Sequence, residues 1–285
     1  MSILSWNCRG LGSDWTVQEL LGLVSSQQPS FVFLMETKAT TSQVERIRVR
    51  MGFEGRLCVE RNGRGGGLAV LWRDATMATL INYSTNHIDV CVKLPGIPEW
   101  RLTCFYGNSD QNRRQESWDL LRELRDQSSL PWVTIGDFND ITCQSEKRGP
   151  HPQPTALIEG FNDSLMDCQL FDLGMEGSRF TWEKGRGTEA WVEERLDRAV
   201  ATPSWLDIYE TAVVRNLLTL ESDHTAILLD VDTGAVRRAK KRFRFESAWL
   251  QEEGCHRVVD QVWNLTHGMD FQSRSWSVGA IWDDG

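Results

Sequence analysis

Two polar side chains, Asp137 and Asn139, directly follow a short stretch of β-branched residues in this 285-residue chain. Residues 132–136 read Trp-Val-Thr-Ile-Gly, which is typical of a buried strand whose glycine lets the backbone bend at its end. Because alternate residues of an extended chain point to the same side, we expect Asp137 and Asn139 on one face and Phe138 in the core. Oxygen-bearing groups at a strand end often carry chemistry at the rim of a sheet. A strand that simply runs into a Gly-Asp turn explains this stretch equally well.

Further polar side chains stand at the ends of other apolar stretches along the chain. They are Asn7, Glu36, Tyr106, Asp197, Asp223 and His224. If these ends meet at one rim, they bring together carboxylates, amides, one phenol and one imidazole. Oxygen ligands without a Cys/His cluster suit Mg²⁺ or Mn²⁺ better than zinc. A hard cation beside an acid–base carboxylate and a histidine indicates hydrolysis of phosphoesters. The alternative is that these residues lie in separate surface turns and carry no chemistry.

Two other kinds of site do not fit the sequence. A serine hydrolase with a nucleophile elbow needs the pattern Gly-x-Ser-x-Gly, and the chain does not contain it. The glycine-rich residues 63–67 precede a strand instead of opening a helix, so we interpret them as a turn and not as a phosphate-binding loop. Four of the five histidines, at positions 87, 151, 256 and 267, lack a comparable polar setting.

A series of apolar and amphipathic segments must position these side chains. Strands are predicted over residues 3–7, 31–35, 68–72, 87–94, 101–106, 132–136, 179–182, 192–199 and 226–231. Helices are predicted to begin near Ser13 or Asp14 and to cover residues 42–51, 113–127 and 155–170, with one helical turn over 203–209. Thr16 and Glu19 fit a capping box in the first helix. This mixed order favours an α/β (α+β) fold of two packed β-sheets flanked by helices over a doubly wound parallel sheet.

The charge of the chain is acidic and unevenly distributed. The net charge is −9, and since residues 233–285 carry eight basic and seven acidic residues, residues 1–232 hold 23 basic and 33 acidic ones, or −10. An acidic body argues against strong general affinity for nucleic acid, but not against an enzyme that grips phosphates through a metal ion. Seven scattered cysteines, together with the lack of a signal peptide or a long apolar span, predict an intracellular protein with reduced thiols and no membrane partner.

The sequence changes character after residue 232. Six of the eight residues 237–244 are basic, and a helical pattern interrupted by one glycine covers residues 247–266. The basic run fits a contact with nucleic acid or a nuclear signal, although a solvated linker is the simpler interpretation. Residues 268–285 show no periodicity and are expected to stay loose.

Seven short segments in a fixed order give the chain a resemblance to a known superfamily. They are Leu-Ser-Trp-Asn-Cys-Arg-Gly (4–10), Leu-Met-Glu-Thr-Lys (34–38), Phe-Tyr-Gly (105–107), Ile-Gly-Asp-Phe-Asn (135–139), Phe-Thr-Trp (180–182), Arg-Leu-Asp-Arg (195–198) and Ser-Asp-His (222–224). The chain resembles the endonuclease/exonuclease/phosphatase superfamily, which includes deoxyribonuclease I and the AP endonucleases. More narrowly, it is similar to the endonuclease domain of plant LINE-type non-LTR retrotransposons.

The resemblance implies a four-layer DNase I-like sandwich over residues 1–232 and a Mg²⁺-dependent (or Mn²⁺-dependent) endonuclease that nicks DNA. It assigns metal binding to Glu36 with Asn7 beside it, and it puts Asp223 next to the metal. The catalytic roles that it implies are water activation or leaving-group protonation by Asp137, phosphate contacts by Asn139 and Tyr106, and an active-site His224 oriented by Asp197.

Two loops depart from the superfamily pattern. Asn108-Ser109 follows the tyrosine where Asn-Pro or His-Pro is common, and residues 148–154 stand where a Gly-Gly-x-x-Arg segment is usual. Residues 243–250 resemble the connector that precedes a reverse transcriptase in full-length elements. We therefore interpret residues 233–285 as a truncated connector made of a basic linker, a helix and a loose tail.

Two alternatives to a DNA-nicking enzyme stay open at this point. One is a phosphatase that acts on small or lipid phosphoesters, because the same fold carries such activities. The other is a catalytically silent remnant of a retroelement. For the leading interpretation we expect DNA as the partner, a monomeric protein and a nuclear location.

Overall fold

Fifteen strands and five α-helices follow one another through residues 1–60 and 66–231, the part of the chain that this computed structural model describes. The strands are β1 (Ser2–Asn7), β2 (Phe31–Met35), β3 (Gly55–Val59), β4 (Leu68–Trp72), β5 (Ala78–Tyr83), β6 (His87–Leu94), β7 (Ile97–Tyr106), β8 (Trp132–Asp137), β9 (Lys147–Arg148), β10 (Phe171–Asp172), β11 (Trp182–Lys184), β12 (Val192–Glu194), β13 (Asp197–Ala201), β14 (Val213–Leu217) and β15 (Ala226–Asp230). The helices are α1 (Asp14–Gln27), α2 (Thr41–Met51), α3 (Arg114–Asp126), α4 (Thr155–Asp167) and α5 (Pro203–Ile208). The predictions for residues 233–285 lie outside the described residues.

Two six-stranded sheets and one small sheet contain all of these strands. The first large sheet has the order β14-β15-β1-β2-β4-β3, the second has the order β10-β13-β8-β7-β6-β5, and the small sheet has the order β11-β12-β9. Each large sheet contains one parallel pair, β1 with β2 and β7 with β8, whose strands are connected through α1 or α3. Among the named strands, the other pairs are antiparallel.

The two large sheets pack face to face around a core of aliphatic and aromatic side chains. In β2, Phe31, Phe33 and Met35 belong to this core, whereas Val32 and Leu34 pack beneath α1 and α2. Burial on both faces explains why the strand is apolar throughout. A further cluster joins the second sheet to α3 and α4. The layers are thus helices, sheet, sheet and helices, and the predicted fold of two packed β-sheets flanked by helices is confirmed.

The ends of six strands meet at one rim of this double sheet. β1, β2, β7 and β8 reach the rim with their C-terminal ends, and β13 and β15 begin there because they run antiparallel to β8 and β1. In the strand register, Asp137 of β8 lies opposite Tyr106 of β7 and Asp197 of β13. Strand pairing alone therefore brings side chains that are distant in sequence to one place.

The predicted single strand over residues 192–199 is wrong, because two strands in different sheets occupy this segment. β12 belongs to the small sheet, and β13 begins at Asp197 in the second large sheet. Between them, the backbone amides of Leu196 and Asp197 donate to the Thr181 hydroxyl at 3.0 and 2.9 Å instead of to a neighbouring strand. Thr181 thereby fixes the point at which Asp197 enters the second sheet.

Several other elements differ from the predictions. β3, β5 and β14 are not predicted, and all three lie at sheet edges, where polar and partly exposed residues interrupt the apolar pattern. The strand predicted over residues 179–182 is displaced to β11. Of the glycine-rich turn, Gly66 and Gly67 are described, and their carbonyls accept hydrogen bonds from the amides of Lys38 and Thr37 at 3.1 Å each. Among the described helices, none has the length and the apolar character needed to cross a membrane.

The capping box predicted for α1 is wrong. Ser13 is the N-cap, as predicted, and its hydroxyl accepts a hydrogen bond from the Trp15 amide at 3.2 Å. Thr16 is buried, and the Glu19 carboxylate accepts hydrogen bonds from two successive backbone amides at positions 220–221, at 2.7 and 3.0 Å. Glu19 therefore ties α1 to the loop that leads into β15.

We predict that Gly136→Ala destabilises the protein by about 2 kcal/mol or more, because a methyl group overpacks this position. Gly136 has a φ of 149°, and an added Cβ would lie 1.9 Å from the Phe105 carbonyl oxygen of the neighbouring strand. Urea unfolding followed by circular dichroism measures this loss.

Gly22→Ala is the matched control for this substitution. Gly22 lies in α1, and an added Cβ there would meet nothing within 4 Å, so alanine should stabilise the helix by about 0.5–1 kcal/mol. A Gly136→Ala protein as stable as the wild type would contradict the close strand approach.

Candidate active site

All eight side chains that the sequence predicts for the site meet at the rim of the double sheet. Each residue is linked to another member by a hydrogen bond, through its backbone in the case of Asn139, by an ion pair or through a shared arginine. The set comprises Asn7, Glu36, Tyr106, Asp137, Asn139, Asp197, Asp223 and His224. The alternative that these residues form separate surface turns is therefore wrong.

Asn7 joins the two large sheets at the centre of the site. From the end of β1, its buried amide nitrogen donates to Asp137 Oδ2 at 3.0 Å and to Glu36 Oε1 at 3.3 Å. Its amide oxygen accepts from the backbone N–H of Arg9 at 3.4 Å. This orientation of the amide gives a neutral donor to each of two carboxylates from different sheets.

Glu36 follows β2 in a left-handed backbone conformation, with a φ of 49°. Its carboxylate accepts a hydrogen bond from the Tyr106 hydroxyl at 3.0 Å and lies 3.2 Å from Lys38 Nζ and 3.6 Å from Arg9 Nε. Burial alone would raise the pKa of this carboxyl, but the arginine and the hydrogen bonds from Asn7 and Tyr106 hold it below its usual value. Burial and the neighbouring carboxylates raise the pKa of the Tyr106 phenol, so the phenol stays a neutral donor.

Asp137 and Asn139 do not form the extended pair that the sequence predicts. β8 ends at Asp137, and Asn139 has a φ of 56° with its backbone N–H donating to Asp137 Oδ1 at 2.8 Å. The Asn139 side chain donates to the Gly107 carbonyl at 3.0 Å. Phe138 lies in the core, as predicted, with its ring centroid 5.0 Å from that of Phe105. The tight turn after β8 thus holds the Asp137 carboxylate through the Asn139 backbone N–H.

His224 lies between two buried carboxylates. Its Nδ1 is 2.9 Å from Asp197 Oδ2, and its Nε2 is 3.8 Å from Asp137 Oδ2. Burial alone would lower the His224 pKa, but the charges of Asp197 and Asp137 raise the pKa to about 9. Burial raises the pKa of Asp137 to about 6, although the imidazolium opposes this shift. At neutral pH the pair is therefore an imidazolium beside a carboxylate that accepts a proton readily.

The Asp197 carboxylate pairs with the imidazole of His224. It does not pair with the neighbouring Arg195 or Arg198, because both arginines form ion pairs of 2.7–2.8 Å with Glu146 and Asp172. In the described residues, Asp197 Oδ2 contacts the imidazole, and Oδ1 has no hydrogen-bond partner. The carboxylate thus holds both the orientation and the charge of the imidazole.

Asp223 stands at the outer edge of the site and is about one-third exposed, with 33% of its side chain accessible. Its Oδ2 accepts a hydrogen bond from the Trp182 indole at 3.0 Å, and its Oδ1 lies 3.5 Å from Arg9 Nε. The Trp182 ring also lies beside the imidazole of His224, with the ring centroids 6.4 Å apart. The indole therefore fixes this carboxylate against the histidine.

Several described residues that contact the site carry no role in the sequence prediction, among them Arg9, Lys38, Thr181 and Trp182. The sequence could have pointed to the two basic residues, because each follows a predicted site residue by two positions. Arg9 follows Asn7, and Lys38 follows Glu36. Thr181 and Trp182 lie within a segment of the family pattern, but their contacts depend on how the small sheet packs on the rim.

Two groups of ligand atoms at the rim could hold a divalent cation. The first consists of the Glu36 and Asp223 carboxylates, which share the Arg9 guanidinium, with the Asn7 amide beside Glu36. The second consists of Asp137, Asp197 and His224, whose ligand atoms lie within 4.8 Å of one another. A protonated imidazole cannot bind a metal, and Mg²⁺ prefers oxygen ligands, so the first group fits a hard cation better. The partly exposed Asp223 also leaves this group open to solvent.

Residues 4–224 match the Endonuclease/Exonuclease/phosphatase family. The match covers most of the chain and includes all eight site residues, so the chain belongs to this family. The predicted enzyme class, a hydrolase acting on phosphodiester bonds, is thereby confirmed. A comparison with curated proteins found no match.

Solved structures with the same fold include nucleases and a phosphatase. The 3′-phosphatase NExo from Neisseria, bound to a product DNA hairpin, has a TM-score of 0.64 and 20% identity, covering 81% of this chain and 99% of NExo. The endonuclease domain of TRAS1, a telomere-specific non-LTR retrotransposon, has a TM-score of 0.60 and 17% identity, covering 82% of this chain and 99% of that domain. An AP endonuclease from Archaeoglobus fulgidus has a TM-score of 0.61 and 15% identity, covering 82% of this chain and 100% of that enzyme. These likenesses establish the DNase I-like fold.

We predict that Asp197→Asn lowers the His224 pKa from about 9 by at least about one unit, because the imidazolium loses its closest negative charge. The measurement is an NMR pH titration of the His224 ring proton in metal-free protein. Asp119→Asn removes an exposed carboxylate from α3 and serves as the control, with no shift expected. An unchanged His224 pKa in Asp197→Asn would contradict the assigned pairing.

Proposed function

We propose that this protein is a Mg²⁺-dependent DNA endonuclease that nicks its substrate, of the type found in non-LTR retrotransposons. The observation that carries the proposal is the position of Asp137. One of its carboxylate oxygens lies between the Asn7 amide, 3.0 Å away, and the His224 imidazole, 3.8 Å away, beside the Glu36 carboxylate that Asn7 also contacts. A general base, a cation and a hard-metal ligand are thus adjacent, as phosphodiester hydrolysis requires.

Glu36, Asn7 and Asp223 would hold the ion, which would supply positive charge to the phosphate in the transition state. Asp137 has a pKa of about 6, near the value that suits a general base at neutral pH, and would take the proton of the attacking water. His224, kept protonated by Asp197, would stabilise the charge that builds on the phosphate oxygens. Tyr106 and Asn139 would donate hydrogen bonds that orient the phosphate.

Support for DNA as the substrate comes from relatives and from the family segments. NExo is described with a bound DNA hairpin, and TRAS1 is a retrotransposon. The expected monomeric state and nuclear location stay predictions from the sequence.

A phosphatase is the second candidate, and one observation favours it: NExo, of the same fold, is a 3′-phosphatase. Release of inorganic phosphate from a 3′-phosphorylated oligonucleotide, measured beside nicking of supercoiled plasmid, separates the two activities. A catalytically silent remnant would give neither product with Mg²⁺ present.

Glu36→Gln should lower plasmid nicking by about 10²-fold or more, because bound metal contributes several kcal/mol to such reactions. The loss should be largest at low Mg²⁺, since the substitution removes one charged ligand while keeping its size. Supercoiled plasmid is incubated with each protein across a Mg²⁺ titration, and an EDTA reaction gives the metal-free baseline.

Glu99→Gln is the control, because it removes an exposed carboxylate that pairs with Lys93 away from the rim. Nicking by Glu36→Gln that equals the wild type at every Mg²⁺ concentration would refute the metal role of Glu36.

Deletion of residues 233–285 should leave nicking of a short duplex within about twofold of the full chain if residues 1–232 form the whole catalytic domain, since no site residue is then lost. The same experiment tests the interpretation of residues 233–285 as a connector. A truncated protein that lacks native circular dichroism would show that the deleted segment belongs to the folded domain.

A further inference from the structure

Arg9 is a cation at the centre of the site that the proposed mechanism does not use. It follows Asn7 by two residues in a left-handed conformation, with a φ of 53°. Its Nε lies 3.6 Å from Glu36 Oε2 and 3.5 Å from Asp223 Oδ1, so one guanidinium is shared by both carboxylates of the proposed metal site. A positive charge thus already lies where two ligands of a divalent ion converge.

The contacts of Arg9 differ from those of the structural arginines in this protein. Arg198 is fully buried and forms ion pairs of 2.7 and 2.8 Å with two carboxylates. Arg9 has 46% of its side chain exposed, and both of its ion-pair distances exceed those of Arg198 by about 0.7 Å or more. The attraction is therefore electrostatic and only weakly directional, which makes the side chain easy to displace.

The Arg9 backbone is held independently of its side chain. The Lys38 ammonium donates to the Arg9 carbonyl at 3.0 Å, and the Arg9 N–H donates to Asn7 Oδ1 at 3.4 Å. Arg9 and Lys38 also line an open cavity of about 390 Å³, whose other lining residues include Ser13 and Glu221. The guanidinium can therefore leave the carboxylates for this space without moving the strand end that carries Asn7.

We propose that Arg9 is an exchangeable cation that competes with the divalent metal for Glu36 and Asp223. Without the metal, the guanidinium neutralises the two carboxylates and keeps them together. When the metal binds, the guanidinium moves into the cavity beside Lys38, where it faces the anionic substrate. This inference rests on the metal site of the proposed function, and it makes metal affinity depend on a residue that is not a ligand.

Removal of the competing charge should tighten metal binding. An opposite charge at this distance lowers the pKa of a carboxyl by about one to three units, and half exposure puts Arg9 at the lower end of that range. If Arg9 competes with the metal by the same amount, Arg9→Gln should lower the Mn²⁺ dissociation constant about tenfold. Arg9→Lys keeps the charge and should bind Mn²⁺ within about threefold of the wild type. Gln and Lys both keep a Cβ at the left-handed position, so backbone strain is the same in all three proteins.

The test is Mn²⁺ binding to the full chain without DNA, followed by the electron paramagnetic resonance signal of free Mn²⁺. Arg215→Gln is the matched control. Arg215 lies on an edge strand, is 44% exposed and pairs with one carboxylate, and its removal changes the net charge equally. Circular dichroism establishes that each variant is folded. An Arg9→Gln protein that binds Mn²⁺ no more tightly than the wild type, or no more tightly than Arg215→Gln, overturns the inference.

Glu36→Gln in the same assay separates this result from a failure of the proposed function. If Glu36→Gln binds Mn²⁺ as tightly as the wild type, the metal site itself is wrong. If Glu36→Gln binds weakly but Arg9→Gln is unchanged, the metal site stands and the competition by Arg9 is wrong.

Discussion

The buried hydrogen bond from Asn7 to Asp137 connects two parts of the fold that share no strand pairing. Asn7 ends β1 in the first sheet and Asp137 ends β8 in the second, and the donor and acceptor atoms are 3.0 Å apart. The bond requires both sheets to end at the same height and to pack at a fixed separation. The same amide also contacts Glu36, so the two carboxylates cannot move apart without breaking a buried contact. Core packing between the sheets thus sets the spacing of the proposed base and the proposed metal ligand.

Backbone strain is concentrated at this rim. Six described non-glycine residues have positive φ, and four of them, Arg9, Glu36, Lys38 and Asn139, contact other residues of the site. Each such conformation costs about 1–3 kcal/mol and persists only where the surroundings enforce it. The turns after β1 and β8 are held by hydrogen bonds from backbone amides to the side chains of Asn7 and Asp137. The turn after β2 is held by hydrogen bonds from its backbone amides to the carbonyls of Gly66 and Gly67. Stability is therefore given up at the positions where chemistry is proposed.

The sequence predicted the central strands and the residues that meet at the rim, and it failed where tertiary contacts decide the backbone. β2 and β8 are buried on both faces, so their apolar runs identified them, and polar residues at their ends pointed to the rim. The edge strands β3, β5 and β14 have no such run. Asn139 was identified as a site residue, but its left-handed turn was not, since an extended chain fits the same sequence. Period-two patterns report burial, and they carry little information about turns or edges.

The roles of Arg9 and Thr181 show why local sequence was insufficient within the site. The hydroxyl of Thr181 holds the start of β13, and this depends on the small sheet packing against the rim. Arg9 follows β1, Glu36 follows β2 and Asp223 precedes β15. The contacts of Arg9 with both carboxylates therefore require these three segments to be in place. Neither residue type is unusual at its position in the chain. Only the meeting of strand ends places these residues at the rim.

The balance of charge at the rim gives the proposed ion a second role beside transition-state stabilisation. Glu36, Asp137, Asp197 and Asp223 contribute −4 at neutral pH, and Arg9, Lys38 and protonated His224 contribute +3, so the local sum is −1. Residues 1–232 carry −10, so the rest of the body does not attract a polyanion. A divalent cation would change the local sum from −1 to +1. If the proposed ion binds at this rim, it would therefore strengthen the attraction of the rim for a phosphate group.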